Sequence, residues 1–140
     1  MESKLIFYPV VAQIIITFII YSRLPAVKKR ALENDEVDLV RRPLHDDAWP
    51  DEVLKISNNV KNQFESPVLF YALCFMLWAL NSVSYIALSA AWIYVVLRVV
   101  HIRVHTGSNE IPIRKKVFMA STAFLMVLCG CVIKGLLVTN

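Results

Sequence analysis

Long apolar blocks, separated by short segments that carry most of the charge, divide this chain and limit what it can fold into. That arrangement is the pattern of a polytopic membrane protein, in which each block crosses the hydrocarbon layer as a helix. Composition agrees, since 57% of the 140 residues are hydrophobic and mean hydropathy is +0.55, against roughly 45 to 50% apolar residues in soluble domains. The length suits one domain, 1–140. A net charge of +4 and a pI near 9.1 would fit nucleic acid, but most Lys and Arg lie beside the apolar blocks. There they read as topology signals and headgroup contacts, and the bilayer rather than nucleic acid is the expected partner. Cys74, Cys129 and Cys131 are odd in number and lie inside apolar runs, so no disulfide scaffold is expected.

The first block, 5–21, is followed by Arg23, Lys28, Lys29 and Arg30. It lacks the basic start and small-x-small end of a cleaved signal, so it is expected to be retained, with Gln13 turned toward other helices. Residues 24–53 are rich in Asp, Glu and Arg and punctuated by Pro25, Pro43 and Pro50, which predicts a water-facing loop with one short helix. The second block, 67–80, has only 14 residues and would reach about 21 Å as a helix, short of the roughly 30 Å hydrocarbon core. To cross, it must start upstream, giving a helix over about 54–80. Asn58, Asn62 and Glu65 then share one face, which must look into protein or a wet cavity. Pro67 would bend such a helix beside Glu65.

The link 81–84 is too short for anything but antiparallel neighbours on either side. The third helix, about 84–105, puts Tyr94, Arg98, His101 and His105 on one face and offers Ala87 and Ala91 as a small-residue contact for another helix or subunit. After a turn-rich loop, Arg114, Lys115 and Lys116 precede a fourth helix at about 116–138. Dense basic residues in the first and third connections put both charged loops in the cytoplasm and both termini outside. The fold class is therefore all-α, an integral membrane, left-handed, antiparallel four-helix bundle. Asn58, Asn62 and Glu65 come to the same depth as Arg98, His101 and His105, with Arg114 and the Arg23–Arg30 cluster at the rim. Several cations with one carboxylate suit a small anionic ligand that also carries an amine. Glu65 and Arg98 are expected to pair. His101 and His105 have the spacing of a zinc helix, but no third ligand accompanies them, so no metal is expected.

The string Asn62-Gln63-Phe64-Glu65-Ser66-Pro67 resembles the Asn-x-x-Glu signature on the second helix of the MAPEG family, the membrane-associated proteins in eicosanoid and glutathione metabolism. The segment from Arg98 and His101 to Pro112 and Arg114 is similar to the third-helix end of that family's microsomal prostaglandin E synthase branch. The resemblance covers most of the chain. It implies a homotrimer, with glutathione as cosubstrate bound between subunits near the cytoplasmic side. Asn62 and Glu65 would hold glutathione, with Lys61, Arg98, His101, His105 and Arg23 binding or supporting it. Arg114 would be the catalytic residue, since a guanidinium near sulfur favours the thiolate nucleophile.

Two positions depart from the family pattern. Asn58 stands where the signature has Arg, leaving Lys61 and Lys55 as nearby cations without the planar fork. His105 stands where the eicosanoid synthases commonly have Tyr. Two functions follow from the resemblance: a glutathione-dependent transferase or peroxidase acting on lipophilic electrophiles, or a non-catalytic protein on the same fold that binds lipid or another small molecule.

Overall fold

A computed structural model describes residues 2–138. A single turn of 3-10 helix (Ser3–Ile6) leads into α1 (Phe7–Glu33), followed by α2 (Asp51–Gln63), α3 (Ser66–Ala79), α4 (Tyr85–Thr106) and α5 (Ile111–Val138). The chain is all-helical among the described residues, and α2 and α3 together form one arm of a four-helix bundle. The segments Ser3–Glu33, Tyr85–Thr106 and Ile111–Val138 are each long and apolar enough to cross a membrane.

Three boundaries differ from the sequence reading. The first helix does not stop near residue 23 but runs ten residues further, through Pro25. Pro25 costs α1 one backbone hydrogen bond, while the extension buries Val27 and Ala31 against Val53 and Ile56 of α2, with Leu24, Val37 and Trp49 around them. Packing outweighs the proline, and the connection shrinks to 34–50. The expected continuous helix over 54–80 is two helices, because Pro67 brings no N–H and Glu65 leaves helical geometry at φ −101° and ψ −99°. Pro67 sits in the first turn of α3, where a missing N–H is harmless. The last helix begins at Ile111 rather than near 116, so Pro112 and Arg114 lie in its first turn.

The main core joins Phe70, Cys74 and Leu77 of α3, Ala87, Ala91 and Tyr94 of α4, and Leu128 and Val132 of α5. Phe70 stacks on Tyr94 with ring centroids 4.5 Å apart, and the Tyr94 and Ser66 hydroxyls share a hydrogen bond of 3.1 Å. Ala87 and Ala91 are fully buried inside the chain, so the small-residue face serves this bundle rather than a second subunit. Ser84 caps α4 by accepting from the Ala87 amide at 3.2 Å. Many large apolar side chains stay exposed, among them Tyr8, Phe18, Ile86, Met119 and Met126. In water such surface would be a liability; on spanning helices it meets lipid.

The connection 34–50 has a frame of its own. The Asp38 carboxylate accepts from the Val40 and Arg41 amides at 3.0 and 3.1 Å, an Asx-type turn. Arg41 donates to Asp47 at 2.7 Å, and this hydrogen bond holds the Asp47 carboxyl below its ordinary value. Lys28 of α1 lies over the Trp49 ring, 4.7 Å from its centroid.

Candidate functional site

The break between α2 and α3 creates the polar site. Where α2 ends, its last carbonyls lack their helical N–H donors, since the residues that would donate to them are in the break or are proline. Arg98 of α4, wholly buried, supplies one donor, Nη2 to the Asn62 carbonyl at 3.1 Å. Its Nε and Nη1 have no hydrogen-bond partner among the described residues. The expected pairing of Glu65 with Arg98 does not form within ion-pair distance. Glu65 sits in the break itself, exposed, and Arg98 answers the helix end instead.

Beside this break lies a cavity of about 530 Å³. Asn58, Lys61, Asn62 and Glu65 line it from the α2 side, His101 and His105 from α4, and Ile111, Arg114, Lys115 and Phe118 from α5. The face expected for Asn58, Asn62 and Glu65 is thus a cavity wall. Lys61, His101, His105 and Arg114 join it, whereas Arg98 is not among the lining residues and holds the wall from behind by its bond to the Asn62 carbonyl. Arg23 is exposed midway along α1 and is not among the lining residues. The neighbouring basic residues of α1 pair along their own helix and with α2: Lys29 with Glu33 at 3.7 Å and Arg30 with Glu52 at 3.6 Å.

Lys61, Arg114 and Lys115 set three cations against the one carboxylate of Glu65. Two of these cations lie in the first turns of α5, where the positive end of the helix dipole adds to them. The cavity lining therefore carries a net positive charge with one carboxylate in it. Arg114 is half-buried, and its Nη1 donates to Asn109 Oδ1 at 2.7 Å. Asn109 adopts φ 54°, a left-handed conformation that Asn tolerates better than most residues. The turn before α5 thereby aims a side-chain oxygen at Arg114 and fixes one end of its fork.

A chain of buried amides supports the wall from behind. Gln13 Nε2 donates to Gln63 Oε1 at 3.1 Å, Gln63 Nε2 to Asn59 Oδ1 at 3.2 Å, and Asn59 Nδ2 to His105 Nδ1 at 3.3 Å. Gln13 does turn toward other helices, as its depth in an apolar block required. The sequence reading passed over Asn59, Gln63 and Asn109. Asn59 and Gln63 were legible in one respect: they are spaced for one face of α2, and Gln13 needed partners across the bundle. The His105 ring stands edge-on to His101 at 5.6 Å, and His101 lies 5.9 Å from Phe118, so both imidazoles are walled in by aromatic surface.

Searches of curated proteins and of solved structures return no match to the chain. A family model does match, over residues 6–134, and its description is the MAPEG family. The match spans all five helices up to the last turn of α5. The all-helical bundle, its apolar spanning helices and this match agree: the chain is an integral membrane protein that belongs to the MAPEG family.

Proposed function

We propose that this chain is a glutathione-dependent transferase or peroxidase acting on lipophilic electrophiles, working as a homotrimer with its charged loops in the cytoplasm and both termini outside. Family membership supports glutathione as the cosubstrate. The single observation that carries the reading is the cavity in which Arg114, held by Asn109, shares a wall with Asn62, Glu65 and Lys61. Glutathione at neutral pH has two carboxylates and one ammonium, and ionising its thiol adds a third anion, so the bound thiolate form reverses the cavity's three cations and one carboxylate. Lys61 and Lys115 suit its carboxylates and Glu65 its ammonium. Asn62 offers an amide to its peptide groups, although its Nδ2 is already donating to the Asn58 carbonyl at 2.9 Å. His101 and His105 line the remaining wall, and Arg98 supports it from behind through the Asn62 carbonyl.

Glutathione would supply the sulfur nucleophile, so none of the chain's own cysteines is needed. Arg114 keeps Nη2 and Nε beyond its bond to Asn109, and a guanidinium beside sulfur stabilises thiolate over thiol. The thiol proton leaves to solvent, and an electrophile dissolved in the bilayer reaches the cavity without crossing water. In proteoliposomes, conjugation of a chlorodinitrobenzene is expected to depend on both the chain and glutathione and to saturate in glutathione. Equal rates with and without the chain would end the transferase reading, and if glutathione also fails to reduce a lipid hydroperoxide faster with the chain than without it, the non-catalytic lipid-binding alternative, which the Asn58 and His105 departures favour, is what is left.

A further inference from the structure

Lys61 stands at two places at once. It lines the cavity, and its ammonium donates to Asp46 at 2.6 Å. Asp46 is not a cavity residue; it belongs to the connection 34–50, in the short 3-10 turn Asp46–Ala48. The connection is internally tied, by the Asp38 turn and the Arg41–Asp47 bond, and Val37 and Trp49 anchor it on α1 and α2. Asp46 is therefore presented to Lys61 by a folded segment. The two side chains are 57% and 67% exposed for Lys61 and Asp46 respectively, so the pair sits at the mouth of the cavity in contact with water.

We infer that Asp46 is a built-in competitor for the Lys61 subsite: a carboxylate of the cavity's ligand binds Lys61 only by displacing or crowding the Asp46 carboxylate. This rests on the reading of the cavity as a glutathione site. The chemistry is an exchange of like for like around one ammonium. Should the three N–H groups of Lys61 serve both carboxylates together, the ligand still meets the repulsion of a second anion. The contact thus sets affinity, and it couples the mouth of the cavity to the position of the connection. An exposed ion pair is worth a fraction of a kcal/mol to about one, so removing the competitor tightens binding by about two- to fivefold, not by orders of magnitude.

The test is glutathione titration of the full-length protein in detergent, native and with Asp46→Asn, Lys61→Met and both changes. Asp46→Asn is expected to bind glutathione about two- to fivefold more tightly, Lys61→Met more weakly, and Asp46→Asn is expected to have no effect once Lys61 is Met. Unchanged or weaker binding by Asp46→Asn, or the same gain in the Lys61→Met background, overturns the inference while leaving the glutathione reading intact. If the native protein binds no glutathione, that reading falls, and labelling decides the competitor alone. Trinitrobenzenesulfonate is an anionic reagent that attacks free amines, and mass spectrometry reads its attachment to Lys61. Severalfold faster labelling of Lys61 in Asp46→Asn supports the inference, and an unchanged rate overturns it.

Discussion

Arg114→Ala is expected to lower kcat/KM for glutathione conjugation by about 10²- to 10³-fold, the usual loss when one preorganised donor at the reacting atom is removed. The difference absorbance of enzyme-bound thiolate should vanish in the same variant, while glutathione still binds. The reasons are local. Arg114 is half-buried in the first turn of α5, and its removal leaves the core of the bundle untouched. It does leave Asn109 Oδ1 without its donor, at a loop where water can replace it. Folding should therefore survive, and the loss should fall on chemistry. Arg114→Lys is expected to recover only part of the activity, because an ammonium has no fork with which to hold Asn109 and reach the sulfur together. Unaltered turnover in Arg114→Ala would remove Arg114 from the mechanism.

Asn59→Leu should have its largest effect on stability. Asn59 is fully buried, accepts from Gln63 and donates to His105, so a leucine of similar size leaves the His105 acceptor stranded and the Gln63 amide with only its long 3.4 Å bond to the residue 59 carbonyl. Each stranded buried group costs about 1–3 kcal/mol in water-soluble proteins. Hydrogen bonds between helices in a bilayer average nearer 0.6 kcal/mol, since the separated helices find other partners. A loss of about 2 kcal/mol lies between these limits and corresponds to a fall in melting temperature on the order of 5–10 °C for a chain of this size. Thermal unfolding in detergent reads it directly. Gln13→Leu and Gln63→Leu added to Asn59→Leu should restore part of the loss, because removing partners together leaves fewer groups unsatisfied. A melting temperature equal to the native one for Asn59→Leu alone would show that the amide chain does not hold α1, α2 and α4 together.

Much of the architecture was legible because the bilayer imposes so few choices. Block lengths fixed where helices could span, and the shortness of 67–80 forced polar residues of α2 toward the membrane, where only a cavity or a protein partner could satisfy them. Asn58, Asn62 and Glu65, which that argument set on one face, do line one cavity, beside His101, His105 and Arg114, whereas Arg98 and Arg23, expected with them, do not line it. The errors came where tertiary packing overrides local signals. Pro25 and the acidic run after it read as a loop, yet Val27 and Ala31 bury enough surface against α2 to carry the helix on to Glu33. Arg98 and Glu65 looked like natural partners, but spacing along helices cannot show that the chain breaks between them and leaves a carbonyl to be answered. Asn109 was invisible for a different reason: its role depends on a left-handed turn whose sign no composition reveals.

The most direct measurement is calorimetric titration of the detergent-purified protein with glutathione, followed in the same sample by ultraviolet difference absorbance for bound thiolate. The cavity's three cations and Glu65 predict saturable heat together with a thiolate signal. No binding by protein that remains folded would contradict this account, and would leave the chain a MAPEG-family membrane protein without a glutathione site in this cavity.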